Sequence, residues 1–128
     1  MTPLHHDAWP GLLFQTHGHK RVAMYAPIDR ANLSFRTPLA GEGRWSDLPA
    51  RSADADPADH PGLDHAVRYE AELAPGDALF IPPFWAHEME AVEPNISVPF
   101  RFATFRRSHL NPGFLRPASE MARARRSR

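Results

Sequence analysis

The chain has 128 residues, with 15 Lys and Arg balanced by 15 Asp and Glu, eight His and no Cys. That length holds one domain with a sizeable core and is short for two. Balanced charge excludes a net field steering the protein to nucleic acid or membrane, and the lack of Cys excludes disulfides, thiolate metal sites and Cys nucleophiles. There is no apolar run of about 18 residues to span a bilayer. The start lacks a basic region followed by an apolar one, so no leader is expected and a cytoplasmic location is the default.

Fourteen prolines and the lack of a sustained 3.6-residue apolar period favour an all-β domain with many turns. In chain order, the first element holds His5, His6 and Asp7 in an extended stretch. Residues 12–16 ("LLFQT") and 21–26 ("RVAMYA") read as two strands joined at His17-Gly18. "LSFR" at 33–36 is a weak strand. Residues 40–65 are polar, with repeated Asp, Pro and Gly, and read as a long surface loop. Order returns at 66–73, and Pro75-Gly76-Asp77 is a tight-turn signal. "ALFIPP" at 78–83 is an apolar strand stopped by Pro82 and Pro83. "WAHEMEAV" alternates, and 96–105 is the last strand. The barrel is expected over 1–107, followed by a tail, 108–128, that is partly helical over 118–126 and basic at its end. Seven or eight short strands imply a sandwich or barrel.

Residues two apart on a strand share a face, so His5 and Asp7 would aim an imidazole and a carboxylate at one point. About one His-x-Asp pair is expected by chance in a chain of this composition, so the pair alone carries little weight. His87 adds to it. It follows an apolar strand and Trp85, with which it shares a face, and a buried imidazole must have a partner. Two His and one carboxylate form the facial set that Fe(II) oxygenases use. Lys20 shares a face with apolar Val22 and Met24. A Lys there either snorkels to water or waits for a ligand carboxylate.

Together, "TPLHHD", "LLFQTHGHKRVAMYAP", "PGDALFIPPFWAHEMEA" and "ISVPFRF" resemble the cupin-like JmjC proteins, Fe(II)- and 2-oxoglutarate-dependent oxygenases that include asparaginyl hydroxylases. The resemblance runs from residue 2 to about 102 and is weak across 40–65. It implies a double-stranded β-helix, the jelly-roll barrel of cupins. It implies Fe(II) on His5, Asp7 and His87, and 2-oxoglutarate held at its distal carboxylate by Lys20 and Thr2, with Gln15 and Trp85 lining or bracing the site. The implied activity couples oxidative decarboxylation of 2-oxoglutarate by O2 to hydroxylation of a protein side chain or small molecule. Gly11 and Pro99 stand where the family usually carries Asn, and Pro99 removes a ladder N–H, which places an edge or bulge there.

The family also carries further sequence ahead of the metal motif, at which this chain starts. Two alternatives therefore stand beside the hydroxylase: a metal-binding cupin without 2-oxoglutarate chemistry, and an inactive interaction module. A homodimer covering exposed edge strands fits a small barrel. The remaining histidines read as bland. His6 points away from His5 and is exposed, His17 and His19 are solvated turn residues, His60 and His65 lie in the polar loop, and His109 lies in the tail. Glu88 and Glu90 lie opposite His87 and read as a solvated face. The Arg-rich end has no interleaved aromatics to mark a nucleic-acid surface.

Overall fold

A computed structural model describes residues 1–36 and 44–102, together with the backbone of 125–127. Its strands are β1 (Thr2–His6), β2 (Gly11–His17), β3 (Lys20–Tyr25), β4 (Arg68–Leu73), β5 (Ala78–Ile81), β6 (Ala86–Ala91), β7 (Ile96–Arg101) and β8 (Arg125–Ser127). They form a five-stranded sheet, β1-β6-β3-β4-β8, and a three-stranded sheet, β5-β2-β7, with every pairing antiparallel. This is the cupin jelly roll that the motifs imply. Among the described residues no helix is long and apolar enough to cross a membrane.

The alternation of β2 and β3 decides which side chains meet between the sheets. Val22 and Met24 of β3 pack with Ala71 and Leu73 of β4 against Leu13, Leu79 and Ile81 of the smaller sheet. The β2–β3 turn is made at Gly18, whose φ of +64° suits glycine, and an added Cβ would fall 2.4 Å from the Pro94 carbonyl oxygen. Gln15 fixes the same turn: its Nε2 donates to the carbonyls of His17 and Gly18, and its Oε1 accepts from Ser97 Oγ. β7 is an edge strand, so Pro99 sits where a missing N–H costs little.

Segment 27–66 differs from expectation. Instead of a weak strand at 33–36 there is a 3₁₀ turn (Pro27–Asn32) followed by a single bridge, Phe35 to Ser46. The described part of the polar stretch is not a plain surface loop. Arg44 to Ser46 runs along the free side of β1, where His6 N–H donates to Arg44 O and Ser46 N–H to Leu4 O. Leu48 then packs with Leu4, Tyr25, Leu33 and Ala86 in a second core on the outer face of the larger sheet. Scattered apolar residues in a Pro- and Asp-rich stretch carry no period, so composition hides this core. Arg125 and Arg126, in the stretch read as helical, pair as strand with β4 instead. An open β4 edge offers backbone partners that outweigh helix propensity. The rest of the tail, His109 included, lies outside the described residues.

Candidate metal centre

β1 and β6 are antiparallel neighbours, with His5 opposite His87 and Thr2 opposite Met89. A register irregularity between Thr2 and His5 turns both side chains inward although they are three residues apart. Asp7 lies just past the end of β1, where Phe84 N–H donates to its carbonyl. Phe84 itself has φ +62°, a costly conformation for a phenylalanine, in the Pro-Pro turn that leads into β6.

One potential ligand atom from each of His5, Asp7 and His87 lies within 4.8 Å of the other two. The two imidazole centroids are 4.3 Å apart. Each ring is held the same way, with His5 Nδ1 3.0 Å from Pro3 O and His87 Nδ1 3.0 Å from Trp85 O. A carbonyl only accepts, so both Nδ1 atoms carry the proton and both Nε2 lone pairs are left for a metal, the usual outer support of a ligating histidine. Burial drives the His87 pKa down to about 4, so the ring is neutral at pH 7. Trp45 stacks on His5 at 4.7 Å between centroids. Two buried, oriented imidazoles and a carboxylate form a donor set that suits a divalent metal ion.

The three residues open into a cavity of about 260 Å³ that Thr2, Gly11, Lys20, Met89, Pro99 and Arg101 also line. Lys20 enters from β3 beside Val22 and Met24. Burial lowers its pKa, and its ammonium has no ion-pair partner among the described residues. Thr2 lies on the same wall.

The other two expected site residues do not line the cavity, although Trp85 braces it through its carbonyl on His87 Nδ1. Gln15 is fully buried but braces the β2–β3 turn, not the cavity. Trp85 packs in the inter-sheet core beside Tyr69, 5.6 Å away. Two arginines that sequence reasoning passed over reach Asp7: Arg44 to one carboxylate oxygen at 3.6 Å and Arg101 to the other at 3.2 Å. The alternation of Ser97, Pro99 and Arg101 on β7 was the available signal for Arg101; Arg44 gave none.

Two expectations fail on the opposite face. Glu88 is not solvated but 3% exposed, accepting from Ser52 N–H (2.8 Å) and Ser52 Oγ (2.9 Å), with Arg68 3.4 Å away. Glu90 is half-buried between Arg21 and Arg51. His6 is half-buried too, its ring against Phe35 and Phe84. The described residues of 27–36 and 44–66 cover this face, which strand alternation cannot show. His17 and His19 are exposed as expected, and His19 pairs with Glu93 at 2.6 Å.

A family model described as "Cupin-like domain" matches residues 1–108. The chain is 34% identical over 100 residues to Jumonji C domain-containing protein 5 of Drosophila melanogaster, covering 78% of this chain and 24% of that protein. It is 36% identical over 97 residues to tRNA wybutosine-synthesizing protein 5 of Danio rerio, covering 73% and 27%. It is 31% identical over 111 residues to JmjC domain-containing protein C of Dictyostelium discoideum, covering 80% and 26%. The chain thus spans about a quarter of the length of these curated relatives.

Proposed function

The chain belongs to the cupin-like domain family, with JmjC-type relatives, and on that premise we propose that its His–Asp–His group holds Fe(II) for a 2-oxoglutarate-dependent hydroxylase. His5, Asp7 and His87 would hold the ion. Together, iron and 2-oxoglutarate supply the activation of O2, with release of CO2 and succinate, that leads to hydroxylation of a C–H bond.

The observation that carries the reading is Lys20. A cation on an apolar strand face, with burial working against its charge and no ion-pair partner among the described residues, is a standing cost unless a ligand carboxylate neutralises it. The cavity wall that holds Lys20 also holds Thr2, whose hydroxyl can donate to the same carboxylate. The chain's own residues do the rest. The Pro3 and Trp85 carbonyls fix the two rings, Trp45 covers His5, and Val22, Met24 and Leu13 keep water from the inner wall.

A competing reading, a cupin that binds metal without 2-oxoglutarate, draws on Gly11 and Pro99. Both line the cavity with no side-chain donor to offer. One experiment separates the two. Anaerobic protein loaded with Fe(II) is titrated with 2-oxoglutarate, and the weak visible charge-transfer band of a chelated keto acid is followed. The hydroxylase reading predicts a saturable band, absent in His87→Ala and shifted to much higher 2-oxoglutarate concentration in Lys20→Ala. Iron bound with no band at any concentration supports the competing reading.

A further inference from the structure

We propose that Arg101 anchors an anionic group, a carboxylate or a phosphate, on the substrate of this cavity. The inference rests on the metal and 2-oxoglutarate reading above and goes beyond it to the substrate class.

Three observations carry it. First, Arg101 enters from the opposite sheet, yet reaches Asp7 across the cavity mouth while its side chain stays 61% exposed. Its cross-strand partner on β2 is Gly11, so no opposing side chain covers the guanidinium. A Cβ at Gly11 would meet the Phe100 carbonyl at 3.3 Å, so this close approach of β2 to β7 favours glycine.

Second, charge does not balance at the loaded site. Among the described residues lining the cavity Asp7 is the one acid, and Arg44, Arg101 and Lys20 all stand at it or within it. A divalent ion and these three side chains bring five positive charges, against three negative from Asp7 and the 2-oxoglutarate dianion. The metal also takes an Asp7 oxygen that a guanidinium now holds. The uncompensated charge is therefore guanidinium charge, and it sits at the mouth. A fork of N–H donors in a partly dry site recognises carboxylate or phosphate.

Third, a cavity of about 260 Å³ is small for a cosubstrate and a substrate together. The substrate must then be met at the rim. There Trp9, about half exposed, offers apolar surface in the same cavity lining. An anionic head on an apolar body matches that rim.

The test uses the full chain with Mn(II) and saturating 2-oxoglutarate, without oxygen. The probes are phenyl phosphate, benzoate and the neutral benzyl alcohol. Bound Mn(II) is read by electron paramagnetic resonance, 2-oxoglutarate by calorimetry, and probe binding near the ion by enhanced ³¹P or ring-proton relaxation. Both anions are expected to bind saturably and about tenfold or more tighter than the alcohol, the worth of one charged hydrogen bond. Arg101→Ala should lose that preference and Arg101→Lys should recover part of it. Mn(II) and 2-oxoglutarate affinities are measured for each variant, and the probes are compared with both saturated, so that any effect of Arg101 on Asp7 is separated from its effect on the probe.

Unchanged phenyl phosphate binding in Arg101→Ala would overturn the proposal. So would equal binding of anions and alcohol, displacement of 2-oxoglutarate by the anions, or a loss of Mn(II) affinity large enough to explain the loss of probe. Failure of the wild type to bind Mn(II) and 2-oxoglutarate removes the underlying reading as well, and the first two signals show which has failed.

Discussion

His87 and Glu88 are neighbours on β6, each 3% exposed, and they face opposite sides of the five-stranded sheet. On the outer side, Glu88 has every partner it needs within the chain: Ser52 N–H, Ser52 Oγ and Arg68, with Tyr25 Oη 2.7 Å from Ser52 Oγ. On the inner side, His87 and His5 are tied at Nδ1 and left open at Nε2, in a cavity shared with a Lys that has no ion pair among the described residues. Both regions are buried and polar. In the outer one the buried carboxylate is fully engaged, although Arg68 Nε has no partner among the described residues and a cavity of about 230 Å³ opens beside it. The inner one is held rigid at one end and leaves donors and charge for something to arrive.

The sharpest way to break that contrast is to truncate each neighbour. Glu88→Ala leaves the Ser52 N–H and hydroxyl without their acceptor, while Arg68 keeps Glu70 at 3.1 Å, and should cost about 1–3 kcal/mol in denaturant unfolding. The protein that remains folded should bind metal nearly as before. His87→Ala should do the reverse: a modest change in stability, and metal affinity falling beyond the roughly 100-fold that loss of a supporting partner alone can cost.

Acid should also separate the two sides. His87 has a folded pKa lowered by burial from 6.5 to about 4, so its contribution to stability is present above pH 6.5 and lost as pH falls toward 4. Burial raises the Glu88 pKa above 4.5, against the pull of Ser52 and Arg68, so its contribution is full below pH 4.5 and lost as pH rises through the raised value. In metal-free protein, acidification from pH 6.5 to 4 should therefore cost about 2–3 kcal/mol through His87. His87→Gln should flatten that slope and Glu88→Gln should steepen it, as thermal melts across the pH range will show.

Smaller effects refine the comparison. Lys20→Ala should weaken 2-oxoglutarate about 30-fold or more by calorimetry, with metal affinity nearly unchanged, because it removes a counter-charge and no ligand. Ser52→Ala keeps its backbone N–H on Glu88 and loses one hydroxyl between Tyr25 and Glu88. It should cost about 1–2 kcal/mol of stability and leave the inner side untouched.

What could be read in advance divides along the same line. The pattern of β2, β3, β5 and β6 is local, so period and turn residues disclosed those strands and the inward set of Lys20, Val22, Met24 and His87. Thr2 and His5 share a wall because of an irregular register, which no spacing predicts. Burial of Glu88 depends on Ser52, 36 residues away, and the arginines on Asp7 arrive from 37 and 94 residues along the chain. Such meetings are decided by how segment 27–66 and β7 fold back, and they leave no mark in the local pattern. Gln15 and Trp85 stand in the motifs of the resemblance, and they touch the site only indirectly, Gln15 through Ser97 and Trp85 through its carbonyl on His87, while their side chains hold the turn and the core.

Anomalous diffraction from crystals grown with Mn(II) tests the centre most directly. The account predicts one strong peak bonded to His5 Nε2, His87 Nε2 and an Asp7 oxygen, with both Nδ1 atoms still on the Pro3 and Trp85 carbonyls. A peak on other residues, or the two rings turned apart with no ion between them, would contradict it.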